Sequence, residues 1–545
     1  MEAIHAVPDT PSVTGMPEWI TPSLHVTAGR DPIGLQTITI DRIIPQLLPG
    51  VLALSRRARY LSIYAFLLDE YRAQRLPASK SALSDFLRAR EYEYALAVQL
   101  CPRGCGSLAT AVVGKQVAGP AARRTGDALP RGTSVESFLG GYGLYYRTPM
   151  IDLGLVVPAG SLLGDTPTPI DVLADEGMHP HAAALAAAFR ETLAGTAYYR
   201  EHMRGIGPIP RAALVELAEH ACLCRLADAP AERALLHTVL FAPTDQQDRA
   251  RVEQRRRSFA LLLSLVADDP LVAVSDDAFR AAIWERFITP APRSDAHATT
   301  LAQWAALVAK EYLQEGISTI WTAFCHMGLA RQPADGLAPD ELDHLLRADL
   351  VGSSALDLFG TTIRYTPTLP TAECAAAVIG AVADVPLEQI RRHTNALGHA
   401  VAGLALLLAL VDRLPHVATA PRAWQHIGSQ RSEHQPGLLG FTRQLAEHRA
   451  ADPTLGDTIA WLVRRYVLRP HEQIAYSKLP DRTFRFRWEQ GRLRFYDLSA
   501  ERFGLTDIRR DAMTWIGEDL GLLTRNDGSG HLTAQGQQFV AEVLG

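Results

Sequence analysis

Apolar residues recur three and four positions apart over most of this chain, the spacing of helices that turn one face to a core. The first long tract runs from about Leu54 to Gln74, with Leu61, Ile63, Tyr64, Phe66, Leu67 and Tyr71 as its apolar members. Residues 80–100 read as a helix pair. From about Ile170 to Leu350 the tracts HAAALAAAFRETLAGTAYYREHM, RAALVELAEHACLCRLA, ERALLHTVLF, RARVEQRRRSFALLLSLVA and LAQWAALVAKEYLQEGISTIWTAFCHMG keep helical spacing. Further helical text spans Thr371 to Leu414 and Leu438 to Pro480, and no fixed repeat length links the tracts. Residues 101–158 break the pattern with Gly, Pro and small residues, which predicts a loop-rich insertion with some strand.

The period changes to two in RTFRFRWEQGRLRFYD, predicting two strands joined near Glu489-Gln490-Gly491. Phe484, Phe486 and Trp488 fall on one face of the first strand, and Arg485 and Arg487 on the other. On the second strand Leu493 and Phe495 oppose Arg492 and Arg494, so pairing would gather four arginines on one surface. From Ser499 onward the order predicted is a short helix ending at Phe503–Gly504, a turn, then a helix capped by Thr506. That helix carries Ile508, Ala512, Met513, Trp515, Ile516 and Leu520. Asn526 to Gly530 is hairpin-tip chemistry, and Thr533 caps a last helix with Phe539, Val540 and Leu544. The run DLGLLTRNDGSGHLTAQGQQFV resembles the tail of winged-helix domains in bacterial regulators. The resemblance covers roughly 45 residues and implies a module that docks on nucleic acid or on another protein.

Charge complicates that implication. From Asp497 to Gly545 there are four arginines, no lysine and eight acids, whereas duplex binders draw affinity from neutralising phosphates. The preceding hairpin, Arg482 to Tyr496, has five arginines and one glutamate. Its candidate nucleic-acid contacts are Arg485, Arg487, Arg492 and Arg494, with Arg509 and Arg510 from the following module; the competing reading pairs them with nearby acids. A secondary basic patch of Arg249, Arg251, Arg255, Arg256 and Arg257 lies on one predicted helix, where a solvated face competes with a phosphate grip. Arg56, Arg57 and Arg59 cluster at the start of the first long helix, where the helix dipole disfavours cations, and call for acidic partners.

The whole chain of 545 residues is 47% hydrophobic and 21% charged with net charge −5, an ordinary globular composition with no global cationic signature. Only four lysines stand among 54 basic residues, in keeping with an arginine- and alanine-rich, GC-rich bacterial genome. The polar N-terminus shows no secretory signal, so a cytoplasmic chain with free thiols is expected. The longest apolar run, near Ala400–Val411, is too short to span a bilayer.

Catalytic signatures fail on inspection. VVGKQ at Val112–Gln116 has Ala109 where a phosphate loop needs Gly, and Gln116 follows Lys115. Gly140–Gly143 reads as a turn. His179 and His181 flank Pro180 at a predicted helix start, where capping or exposure is favoured over metal ligation, and the offset of six between His393 and His399 is not a same-face spacing. Cys101 and Cys105 stand far along the chain from Cys222 and Cys224, near His220. Neither pair has knuckle spacing, and Cys222 and Cys224 would not share a helix face, so no metal is expected. No GxSxG, HExxH or paired CxxC motif is present.

The expected fold is mainly α: a multi-helical array with a small strand-containing insertion and a C-terminal winged-helix module. The segments expected are a tail over 1–20, a helical domain over 21–169 with the insertion, a helical domain over 170–414, a linker with helices over 415–480, and the hairpin plus winged helix over 481–545. The function expected is a non-catalytic, nucleic-acid-associated subunit, DNA-binding above all, of a bacterial multi-protein system of regulation or genome defence. No catalytic residue, cofactor, membrane or small-molecule substrate is expected. A helical scaffold whose winged helix contacts protein, and an enzyme with an unrecognised metal-dependent site, are the alternatives.

Overall fold

In a computed structural model, which describes residues 31–105, 112–163, 165–244, 249–414, 438–478, 483–496, 503–526 and 528–545, the chain is mainly helical with small antiparallel hairpins set between helices. In chain order the elements used below are α1 (Arg59–Ala73), α2 (Lys80–Gln99), α3 (Ala182–Leu193), α4 (Arg211–Ala221), α5 (Pro230–Phe241), α6 (Arg249–Asp268), α7 (Asp276–Ile288) and α8 (Asp295–Arg331). Then come β1 (Ser354–Leu358), β2 (Thr361–Tyr365), α9 (Thr371–Ala381), α10 (Leu387–Leu397), α11 (Ala400–Arg413) and α12 (Arg469–Ser477). The last are β3 (Phe486–Glu489), β4 (Arg492–Phe495), α13 (Arg510–Asp519), β5 (Leu523–Asn526), β6 (Ser529–Leu532) and α14 (Ala534–Leu544). The starts of α2, α7 and α8 follow from local chemistry. Ser79, Ser275 and Ser294 each accept the backbone N–H three residues on, filling one of the donors a helix start leaves open.

The organising element is α8. Its 37 residues extend about 55 Å at 1.5 Å per residue. Almost every position from Thr300 to Trp321 is buried, so the helix is wrapped on all sides. Against it lies α11, the apolar run from Ala400, buried through Leu410. The two backbones meet where glycines remove side chains: a Cβ on Gly403 would sit 2.8 Å from the Gly316 carbonyl oxygen. Among the described residues no helix is long and apolar enough to cross a membrane. The buried apolar side chains form one connected cluster from Ile33 to Leu544, and α1 and α3 pack together within it.

Several expectations change in detail. Residues 80–99 form one helix, not a pair. The helical domain expected over 170–414 contains the β1–β2 hairpin, in the gap between the tracts ending at Leu350 and starting at Thr371, turned by Phe359 (φ 52°) and Gly360 (φ 86°). Both turn residues have positive φ, as a two-residue hairpin loop requires. At the C-terminus α13, the β5–β6 hairpin and α14 stand in the order expected, and Thr533 caps α14 by accepting Gly536 N–H at 3.1 Å. The short helix expected from Ser499 falls mostly outside the described residues, and 503–508 carry no helix. Thr506 is not a cap; Arg509, at φ 65°, starts α13 without a side-chain cap. The Thr506 N–H is directed to Glu311.

The glycine contact yields a test. Gly403→Ala is expected to lower the unfolding free energy by about 1–3 kcal/mol through overpacking. Gly380→Ala, on an exposed face of α9 with open space around it, is expected to raise it by about 0.5–1 kcal/mol. Denaturant unfolding of both variants decides the matter, and equal effects would mean that the α8–α11 approach is not tight.

Candidate metal centre and arginine hairpin

The hairpin forms in the register the alternation implies. Arg494 faces Arg487, Leu493 faces Trp488 and Phe495 faces Phe486, around a Gln490-Gly491 turn in which both φ are positive. The apolar face is anchored on α8. Phe486 packs on Trp321 and Phe324, and Phe495 on Phe324 over Gly328, where a Cβ would collide with its ring. The outer edge of β4 is covered, since Leu493 and Leu337 exchange backbone hydrogen bonds at 2.8 and 2.9 Å. His471 on α12 secures the other strand. Its Nδ1–H donates to the Pro32 carbonyl at 3.0 Å, and its Nε2 accepts the Arg485 N–H at 3.0 Å, which fixes the neutral tautomer.

On the polar face the arginines are matched by acids. Arg487 and Arg494 both reach Glu489, Arg494 at 3.6 Å, and Glu489 also accepts the Tyr496 hydroxyl. Arg492 donates to the Gly336 carbonyl at 2.8 Å and pairs with Glu341 at 2.9 Å and Asp335 at 3.3 Å. Arg485 is half-buried, donating from its side chain to the Thr483 carbonyl. Arg487 and Arg494 keep 41% and 49% of their side chains exposed; Tyr476, near Arg487, and Trp488, on the opposite face of the hairpin, are exposed too.

Arg509 and Arg510 do not join this surface. Both are only 8% exposed; Arg510 pairs with Asp276 at 2.7 Å and donates to the Ala273 carbonyl at 2.7 Å. Burial takes both off the surface on which nucleic-acid contacts were expected. The whole of α13 shares that burial. Seven of its ten residues are buried, and the other three each meet an arginine. Asp511 pairs with Arg56 at 2.9 Å, Glu518 pairs with Arg525 at 2.8 Å, and the Trp515 ring is flanked by Arg57 and Arg525. Asp519 accepts from the Arg57 guanidinium at 2.6 Å and from the Ala58 N–H at 2.8 Å.

The secondary patch lies on α6 as expected, but it fastens the helix rather than presenting a phosphate grip. Arg255 is buried, donating to the Leu240 and Pro49 carbonyls. Arg251 faces Asp152 at 3.4 Å, Arg256 faces Glu542 at 3.6 Å and Arg257 faces Glu253 at 2.9 Å, while Arg249 is exposed at the helix start. The cluster before α1 meets acids too, with Arg59 bidentate on buried Glu232.

The fold brings together what the spacing kept apart. Cys101, Cys105, Cys222 and Cys224 place their sulfurs within 4.8 Å of one another. Cys101 is 3.6 Å from Cys105 and 3.8 Å from Cys224. Helix α2 ends before Cys101-Pro102-Arg103-Gly104-Cys105, and Gly104 at φ 73° lets the turn fold back. Helix α4 ends at Ala221; Cys222 is extended (ψ 153°) and a tight 3-10 turn begins at Leu223. The same-face objection assumed a continuous helix, and the helix stops at Cys222. The two cysteine pairs that stand far apart in the sequence therefore form one group of four thiols that could hold a metal ion. His220 is exposed and outside the group.

The thiols differ in character. Hydrogen bonds from Cys222 and the other cysteines, with Arg103 nearby, hold the Cys224 thiol down to about 5. Burial pushes the Cys105 thiol up to about 12. The hydrogen bond to Cys224 and then burial push Cys222 up. Four sulfurs held this close together form a set that can hold a soft ion. Cys105 and Cys224 also line a cleft of about 400 Å³, whose other side carries Arg57, Trp515, Glu518, Asp519 and Arg525. No known protein family, curated protein or solved structure matches the chain.

Burial depresses the His471 imidazole from its ordinary 6.5 to about 4. The folded chain therefore keeps it neutral, and stability contributed there is present above 6.5 and lost as pH falls toward 4. An NMR titration of the His471 ring is expected to show a midpoint near 4, with loss of amide protection over residues 484–496 in the same range. A midpoint near 6.5 would mean that Nε2 is not held by the hairpin.

Proposed function

We propose that this chain is a non-catalytic helical scaffold that works through protein contacts, with its C-terminal helix–hairpin–helix serving as an internal brace. The burial of α13 carries the reading. In a winged-helix module the helix before the hairpin is the one offered to a groove, and here every position of it is buried or covered by an arginine. The acidic charge of the segment and the acids set against the hairpin arginines point the same way.

A second reading rests on the hairpin alone. Arg487 and Arg494 face each other across the strands, partly exposed, with Tyr476 exposed near Arg487. Guanidinium and aromatic groups so placed suit single-stranded nucleic acid better than a duplex groove.

Titration with labelled single- and double-stranded DNA and RNA at low salt separates the two. The scaffold reading expects no salt-sensitive binding. It also expects a stoichiometric protein partner that survives nuclease treatment when the chain is purified from its own cells. Binding that weakens with salt and is lost in Arg487→Ala/Arg494→Ala would replace it with the hairpin reading.

A further inference from the structure

We propose that Cys101, Cys105, Cys222 and Cys224 bind one Zn²⁺ in a closed tetrahedral site that staples the end of α2 to the end of α4. This inference is independent of the scaffold reading.

The sulfur spacing selects the occupant. A tetrahedral ion with Zn–S bonds of about 2.3 Å sets its four sulfurs about 3.8 Å apart. The two contacts of Cys101 are 3.6 and 3.8 Å, and no pair exceeds 4.8 Å, so closure on an ion asks for movements of about 1 Å or less. An iron–sulfur cluster spreads four thiolates over two or more irons, and sulfurs on different irons stand farther apart than sulfurs on one ion. All-sulfur ligation with no oxygen or imidazole in the group favours a soft ion over magnesium or calcium.

The surroundings suit the charge. Four thiolates around Zn²⁺ leave a net charge of about −2. Arg103 and Arg225 stand beside the sulfurs, both paired with Asp228, at 3.2 and 3.1 Å. The backbone between the ligands is also held, with Arg59 donating to the Cys222 carbonyl and Arg57 to the Leu223 carbonyl at 3.4 Å. Three of the four cysteines are buried, and Cys224 is half-buried at the cleft. Four protein sulfurs fill a tetrahedral shell, so no position is left for water or substrate, and the role is structural.

The experiment is elemental analysis of the full-length protein purified without added metal, followed by Co²⁺ exchange. The expected result is about one zinc per chain. The cobalt form should show the intense thiolate charge-transfer and tetrahedral d–d bands of a four-sulfur site. Cys222→Ser/Cys224→Ser should bind less than a tenth of that zinc. Cys325→Ser and Cys374→Ser, at buried cysteines outside the group, should retain it, which separates ligand loss from general damage. Should the double variant fail to fold, the cobalt spectrum of the native chain still decides. Iron with acid-labile sulfide would overturn the proposal, as would four alkylatable thiols or a disulfide with no bound metal.

Discussion

Four polar side chains on one stretch of α8 hold two distant segments, one before α1 and one before α13, against the core. Lys310, buried, donates from Nζ to the Leu35 carbonyl at 2.6 Å, to Thr39 at 2.6 Å and to Gln314 at 2.7 Å. Glu311 accepts the Thr39 hydroxyl at 2.7 Å and the Thr506 N–H. Gln314 and Ser318 donate to the Gly504 and Phe503 carbonyls at 2.9 and 3.2 Å. The short helical turns before α1 and the irregular segment before α13 carry backbone polar groups into the interior, where each unmatched one costs about 1–3 kcal/mol. The central helix supplies their partners. Burial lowers the Lys310 ammonium from its ordinary range despite Glu311 beside it. Removing one partner of such a buried charged pair typically destabilises by about 3–5 kcal/mol.

This arrangement explains why the C-terminal unit is a brace. Once residues 503–506 are fixed on α8, α13 is delivered onto the start of α7, where Arg510 meets Asp276, and onto the residues before α1, where Arg57 meets Asp519. The final helix completes the seat. Phe539 packs tilted against Phe241 at 4.9 Å, and Phe241 meets Phe259 edge-on at 5.0 Å, so α14 shares the aromatic core of α5 and α6. Freeing α13 for a nucleic-acid groove would expose that core and strand several buried charges, a far larger penalty than surface arginines recover.

Local pattern made the hairpin legible. Strict alternation of Phe and Arg around Gln-Gly gave both its register and its inward face, and Thr533 marked the start of α14. The fate of the arginines was not legible, because period tells which side a residue faces and not what covers that side. Arg509, Arg510 and Arg255 lie within basic, polar text yet are buried by partners from distant segments. The β1–β2 hairpin had a signal that went unread, Leu356 and Leu358 against Ile363 and Tyr365 around Phe-Gly. The cysteines had almost none. Their meeting depends on where α2 and α4 stop, and helix ends are the least determined feature of a periodic pattern.

The position of the sulfur centre decides what an ion there accomplishes. Cys101 and Cys224 are 123 residues apart in the chain, so closing them in an unfolded chain is entropically opposed, though each doubling of loop length adds only about 0.6 kcal/mol. The connected core from Ile33 to Leu544 already brings α2 and α4 together without metal. A zinc finger, lacking such a core, takes its folding free energy from the ion. Here an ion would join two helix ends, a Pro-Gly turn after α2 and the broken terminus of α4. The carbonyls of Cys222 and Leu223 receive Arg59 and Arg57. Fixing that loop therefore fixes the two arginines that tie α1 to Glu232 and to Asp519 of α13. The centre thus meets the C-terminal helix–hairpin–helix at Arg57, and rigidity imposed at the sulfurs would be felt at α13.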